Sequence, residues 1–455
     1  MEYTLDNANS YINENISKIN NKYRLKFHMM PPIGWMNDPN GLVKFQDKYH
    51  LFYQYYPYEA KWGPMHWGHF SSYDLIKYNN EPVALAPENQ DIESGCWSGG
   101  AIAVDNKLNL IYTRHYENNN FKQQQQYLAH SYDGLNFEKE LKPLFDNNDL
   151  PSNVSRVDFR DPFPIYKNGN YYILVGGKLD TDEGVLLVLK SDHLGDFKYD
   201  FMIGPLYEFG NMCECPTYYN VDGIDIVLAS GCVVQRRDNN FKNCNSSFYI
   251  AGYIDFEAKK IDIIKIDELD KGDTFYAPQF INGSNEPIMI AWMEMWGKKY
   301  PTEKDGWVGA FSIPRKLNWK NNTLYQTPID NIKNYYKKTY NYQGEEVSRI
   351  SDIYIECDCN FNIVFKATNG SFEIGSNDTG VYLDTTNSNN LNECIRYTNY
   401  KYKNSKIRVL LDVSSVEIFV DNGKESITSR VYLDSNYKLK LSNKNIKILI
   451  NEIEV

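Results

Sequence analysis

Hydrophobic and polar positions along the chain change period once, near Pro31-Pro32. Before that point Leu5, Ile12, Ile16 and Ile19 recur at spacings of seven, four and three, which predicts one short amphipathic helix within residues 3–22. Beyond it the helical period vanishes. Short aromatic and β-branched runs follow, punctuated by Asn, Asp and Gly turns, and the chain reads as all-β.

The strands repeat. Each unit opens on a polar residue, often followed by Pro or Gly, then has a short apolar stretch, a turn and a stronger apolar strand. The units open at Asp38 (DPNGLVKFQDKYHLFYQY), Ser98 (SGGAIAVDNKLNLIYTR), Asp161 (DPFPIYKNGNYYILVGG), Glu214 (ECPTYYNVDGIDIVLASG) and Tyr276 (YAPQFINGSNEPIMIAWM). Their intervals are 60, 63, 53 and 62 residues. Five units of roughly 60 residues, each with room for about four strands, predict a five-bladed β-propeller ending near residue 330.

A Lys/Tyr/Asn-rich stretch, KNYYKKTYNYQGEEV, then reads as a linker or an edge. After it Val416, Ile418 and Val420 alternate up to the hairpin signal Asp421-Asn422-Gly423, and the period of two continues from Leu439 to Ile450. A C-terminal β-sandwich fits this pattern. The expected division is an N-terminal helical extension over 1–29, a propeller over 30–330 and a sandwich over 331–455.

Composition narrows the partners. The 455 residues carry 59 acidic and 48 basic side chains, a net charge of −11, which disfavours nucleic acid or an anionic membrane surface. No apolar run approaches the roughly 20 residues of a membrane helix. The polar, Asn-rich first 22 residues lack the basic and apolar regions of a signal peptide, so a cytoplasmic protein is expected. The eight Cys are expected as free thiols. Neither Cys213/Cys215 nor Cys357/Cys359 has a His or further Cys at zinc spacing, and neither a metal nor another cofactor is expected.

Three units open with an acid at what reads as the same place: Asp38, Asp161 and Glu214. Equivalent positions of a propeller converge about its axis, and like charges held together are costly unless used. Asp-Pro and Glu-x-Pro also start ordinary turns with solvated side chains. Three acids at matching positions among many Trp and Tyr favour a carbohydrate-cleaving site. Glycosidic cleavage needs an ionised nucleophile and a protonated acid on either side of the bond, and a third carboxylate can hold hydroxyls and stabilise developing positive charge.

At these residues the chain resembles glycoside hydrolase family 32, the β-fructofuranosidases. WMNDPNG (35–41), FRDP (159–162) and ECP (214–216) match that family's signature motifs, and FYQY (52–55), WGPMHWGH (62–69), CWSGGAI (96–102), FYAPQ (275–279) and GWVGAFSIPRKL (306–317) extend the likeness. The resemblance implies a five-bladed propeller with a C-terminal sandwich. It implies Asp38 as nucleophile at the fructosyl C2, Glu214 as general acid and then base, and Asp161 as the residue that binds fructose hydroxyls and stabilises the transition state. Trp35, Met36, Asn37, Gln54, Trp62, Trp97, Ser98 and Arg160 would contact the sugar, with Trp292 a further candidate. Arg160 would keep neighbouring carboxylates ionised, and Cys215 would tune the environment of Glu214. Trp67, His66 and His69 read equally well as core.

Departures from the family pattern fall at Tyr56, Gly100, Arg114 and Thr274, where Asn, Ser, Gly and Asp are usual; they put leaving-group recognition in question. Within the family the N-terminal helix and the ALAPENQ-to-GCWSGG segment are similar to bacterial sucrose-6-phosphate hydrolases. A phosphate would need cations, for which Arg114, Lys122, Lys178, Arg236, Arg237, Lys298 and Lys299 are loop candidates. The expected activity is retaining hydrolysis of sucrose 6-phosphate or sucrose. Exo-acting fructanase and fructosyltransferase activity are alternatives within the class, and a catalytically inactive sugar-binding propeller is the alternative outside it.

Overall fold

The computed structural model describes residues 2–237, 239–392, 394–399 and 405–455. Five antiparallel sheets are built from strands in chain order, each starting with an inner strand: Gly34–Phe45, Gly95–Val104, Val154–Lys167, Met212–Val221 and Tyr276–Phe280. Each inner strand packs against the next, and the fifth returns to the first, so the sheets close into a five-bladed ring.

Apolar side chains fill the seams between blades. Val43, Phe52 and Trp67 of the first blade meet Leu108, Leu110 and Tyr112 of the second. Ile111 of the second packs with Ile173, Val175 and Leu187 of the third, and Phe163 and Leu174 of the third pack with Val227 and Phe248 of the fourth. Strands buried on both faces carry near-continuous apolar runs such as IDIVLAS, because each face meets another sheet. The ring is closed by the fifth blade's long loop, where Trp307-Val308 pairs in parallel with Gly34-Trp35. Near the axis Asn282 Nδ2 donates to the carbonyls of Ala101 (3.0 Å) and Pro164 (3.1 Å), tying three blades together.

The N-terminal helix is shorter than its apolar stripe. It spans Leu5–Asn15, capped by the Thr4 hydroxyl accepting from the Asn7 amide (3.1 Å), and passes into a 3-10 turn, Ile16–Lys18. Ala8 is its buried residue and Ile16 is left 47% exposed. The Lys/Tyr/Asn-rich stretch forms a 3-10 turn, Asp330–Tyr335, and then an edge strand, Tyr336–Asn341.

That edge strand starts a six-stranded sheet which faces a five-stranded one across a core including Ile353, Phe365, Val409 and Ile418. Together they make the sandwich. The hairpin of Ser415–Val420 and Glu425–Arg430 turns at Asp421-Asn422-Gly423, all three at positive φ. This turn rests on the fifth blade so closely that a Cβ on Gly423 would lie 1.9 Å from the Gln326 carbonyl oxygen. The sandwich is not free of buried charge. Arg315 of the fifth blade is fully buried and donates to Asp270 (2.9 Å), to Glu417 of the sandwich (2.6 Å) and to the Thr428 hydroxyl (2.6 Å). His28 bridges Asp412 (2.9 Å) and Glu417 (2.8 Å) from the other side.

Candidate active site

All five inner strands break register at one height, between Met36 and Pro39, Trp97 and Gly99, Arg160 and Phe163, Glu214 and Thr217, and Tyr276 and Gln279. A β-bulge kinks the strand and re-aims its side chains, here toward the axis. Asp161, Cys215 and Ala277 occupy the bulge at φ of 66°, 49° and 50°, each just before a Pro. For residues with a Cβ this conformation costs about 1 kcal/mol each.

The hairpin turns correct the register inferred from the repeats. Ser98, Asp161 and Cys215 stand at the same distance before their turn residues Asp105, Asn168 and Asp222, and Asp38 matches them once the extra bulge at Gly41-Leu42 is allowed for. Glu214 therefore sits one residue earlier than Asp38 and Asp161. Its counterparts are Asn37, Arg160 and Tyr276. The three acids still converge, because the bulge lets neighbouring residues of different blades face one space.

That space is a pocket of about 210 Å³. Asp38, Asp161, Glu214, Asn37, Ser98 and Arg160 line its polar side; Gln54 and the indoles of Trp62, Trp97 and Trp296 complete it. A larger groove of about 550 Å³ on the sandwich has Glu356 and Asp358 among Lys406, Lys444 and Lys447, and among the described residues no aromatic side chain lines it. The smaller pocket is the one that combines buried acids with sugar-sized aromatic faces.

Each carboxylate has its own surroundings. Asp38 Oδ2 accepts from the Ser98 hydroxyl (2.8 Å), and Oδ1 is buried with no hydrogen-bond partner among the described residues. Burial, with the Glu214 charge nearby, pushes Asp38 up to about 6 against the Ser98 bond. Asp161 Oδ2 accepts from the Cys215 amide (2.9 Å), while the Asp161 amide donates to the Thr113 hydroxyl (2.9 Å). Burial raises Asp161 to about 7; Arg160 opposes this, and the charges of Glu214 and Asp38 add to it.

Glu214 goes the other way. Burial alone would raise it, but Arg160 donates to Oε1 through Nη2 (2.7 Å) and Nε (3.1 Å), and the Tyr276 hydroxyl donates to Oε2 (2.6 Å). These contacts hold Glu214 below the usual carboxylate range. Like charges around one volume thus have their proton affinities separated, as acid–base chemistry requires.

The sequence candidates divide. Asp38, Asp161, Glu214, Asn37, Gln54, Trp62, Trp97, Ser98 and Arg160 meet at the pocket. Trp35 stands behind it, its indole donating to Asn37 Oδ1 (2.8 Å). Met36 points away into the apolar core beneath the helix. Trp292 is fully buried and supports Trp296 (ring centroids 5.0 Å apart), so Trp296, four residues on, is the indole that reaches the pocket. Trp67 packs in the first seam, His66 Nδ1 is bonded to the Pro64 carbonyl (2.8 Å), and His69 stacks on Phe52 (4.2 Å), so all three are core. Cys215 contacts Asp161 and Asp38 (Sγ–O 3.5 and 3.6 Å) rather than Glu214.

Two contacts escaped the sequence. Tyr276 was visible as the fifth-blade counterpart of Glu214 once the bulge register is known; Trp296 lies in an irregular loop with no period to flag it. Gly100 is explained by crowding, since a Cβ there would lie 2.7 Å from Pro164 Cδ.

Of the loop cations, Lys122 is linked to the pocket rim through Asp158, which lies 3.5 Å from it and 3.7 Å from Arg160. Arg114 lies over Tyr127 (3.9 Å), Arg237 pairs with Glu208 (3.0 Å), Lys298 with Asp273 (2.6 Å), and Lys178 with Asp182.

A propeller whose axis opens on two buried acids, a half-buried third and three indoles, with a sandwich docked on its fifth blade, defines a glycoside hydrolase. The match to known families is specific: the N-terminal domain of glycosyl hydrolases family 32 matches residues 28–328 and the C-terminal domain of the same family matches 351–455. The chain belongs to glycoside hydrolase family 32. It is 30% identical to a sucrose-6-phosphate hydrolase of Escherichia coli over 441 residues, covering 90% of each chain. It is 29% identical to a raffinose invertase of the same species, covering 95% of this chain and 94% of that protein. Among solved structures, a β-fructofuranosidase of Bombyx mori superposes with a TM-score of 0.89 at 29% identity, covering 99% of this chain and 98% of that one.

Proposed function

We propose that this pocket hydrolyses the fructosyl bond of sucrose 6-phosphate or sucrose by double displacement, with retention of configuration. Ionised Asp38 attacks the fructosyl C2 while Glu214 gives its proton to the bridging oxygen; glucose, or its 6-phosphate, leaves and a fructosyl ester on Asp38 remains. Glu214 then takes a proton from water, which attacks C2 and frees Asp38 and fructose. Asp161 accepts hydrogen bonds from fructose hydroxyls and faces the positive charge that develops at C2.

The observation that carries this reading is the convergence of Asp38, Asp161 and Glu214, from three blades, on one pocket with their proton affinities pushed apart. In this arrangement of charges the order of affinities is the reverse of what the roles need, because Arg160 and Tyr276 hold Glu214 ionised. The sugar corrects it. Hydroxyls donating to Asp161 and Asp38 favour their ionised forms, and two negative neighbours then move the shared proton to Glu214. Names of relatives support both sucrose and its 6-phosphate as substrates. For a phosphate, Arg160 and Lys122 are the cations best placed at the pocket. A cytoplasmic location goes with that phosphorylated substrate.

The test compares fructose release from sucrose, sucrose 6-phosphate, 1-kestose and inulin, with kcat/KM highest for one of the first two. Glu214→Gln is expected to lower kcat on the order of 10²–10⁴-fold, and Asp38→Asn to abolish turnover. Sugar binding without fructose release by the unaltered protein would overturn the proposal, and preference for inulin would make it a fructanase.

A further inference from the structure

The sandwich reaches the pocket wall through one buried guanidinium. Arg430 ends the strand Glu425–Arg430 and is fully buried. Its Nε and Nη2 donate to the carbonyl (2.8 Å) and hydroxyl (2.9 Å) of Ser414, which fixes its plane inside the sandwich. Nη1 is left to cross to the propeller, where it donates to Glu294 Oε1 at 3.0 Å. Glu294 is fully buried as well, and burial pushes it up to about 7 even against the Arg430 charge.

The preceding residue makes a second crossing. The Ser429 hydroxyl donates to Asp273 Oδ1 (2.6 Å), and the other oxygen of Asp273 accepts from Lys298 Nζ (2.6 Å). Between these two anchored residues the Met295 amide donates to the Tyr300 hydroxyl (2.8 Å), which donates in turn to the Met295 carbonyl (3.2 Å). Glu294 and Lys298 stand two residues before and two after Trp296. The indole at the pocket wall is therefore carried on a short stretch gripped at both ends from the sandwich. On its inner side it meets Trp292 (5.0 Å) and Trp35 (6.1 Å, stacked).

We propose that Arg430 and Ser429 of the sandwich are positioning residues that set the pose of Trp296 and thereby the affinity of the pocket for its sugar. The proposal rests on the reading of the pocket as a sugar-cleaving site. Neither residue touches the pocket; each acts through a buried acid on the segment that bears Trp296. An indole lends its face to a sugar ring only when the two planes meet, and a displacement of about 1 Å at such a contact is enough to cost a large factor in rate or affinity.

A double-mutant cycle tests it. KM and kcat for fructose release are measured for the unaltered protein, Arg430→Met, Trp296→Ala and the double variant, with Tm recorded for each. Arg430→Met is expected to raise KM about tenfold, with a smaller change in kcat, and to add nothing further in the Trp296→Ala background. Arg430→Lys keeps a cation for Glu294 and is expected to restore most of the affinity. An increase in KM of the same factor in both backgrounds, or no increase in either, overturns the inference. If Arg430→Met does not fold, Ser429→Ala, which removes the bond to Asp273, carries the same cycle. Absence of fructose release by the unaltered protein would instead refute the function proposed for the pocket.

Discussion

Asp38 lies 8% exposed, with one oxygen bonded to Ser98 and the other without a hydrogen-bond partner among the described residues. Its role requires the ionised form, and its affinity for a proton is raised to about 6. The sign follows: above that pH the nucleophile is charged and active, and below it the group is neutral. The acid limb of kcat/KM is expected near pH 6, falling about tenfold per unit below it, and a pH series of initial rates checks this. Ser98→Ala removes the bond that favours the charged form, so the limb moves to higher pH. At this scale much was legible. Asp-Pro, Arg-Asp-Pro and Glu-Cys-Pro marked the acids because a Pro after a bulge residue leaves a sequence trace. The opposite tuning of Glu214 was not legible in full, since the Tyr276 hydroxyl that donates to it is 62 residues away in the chain.

At the level of elements, the segment before the first blade is held by the sandwich, through the end of its strand Ser405–Asp412 and the strand Ser415–Val420 that follows. Asp412 accepts from the amides of Lys26 (2.9 Å) and Phe27 (3.0 Å), and His28 lies between Asp412 and Glu417. Burial opposes a charged imidazole, but the two carboxylates outweigh it and hold His28 up at about 8. A pKa raised above the unfolded value, near 6.5, gives stability that is whole below about pH 6.5 and lost as pH rises through 8. The loss is about 2 kcal/mol. Calorimetry is expected to show Tm falling across this range, and His28→Gln to flatten the fall. Nothing in the local sequence announces this latch, because its partners are separated by more than 380 residues. Periodicity foretold the strands on both sides of it but not which strands would meet.

For the whole molecule, the repeat intervals foretold five blades because each unit must supply one inner strand, one bulge and one return hairpin. The register error at Glu214 came from aligning acids instead of turns. The sandwich, whose role was not legible in the sequence, carries Arg430, Glu417 and Asp412 to the propeller, so the two parts share buried charge where an accessory module would share only surface. All of this geometry bears on one chemical event at the axis. The direct test mixes the protein with sucrose, quenches with acid within the first turnovers, and maps the peptides by mass spectrometry. The account predicts that the peptide containing Asp38 gains one fructosyl group, and that Asp38→Asn abolishes the adduct. Fructose release with no adduct, or an adduct on Asp161 or Glu214, would contradict it.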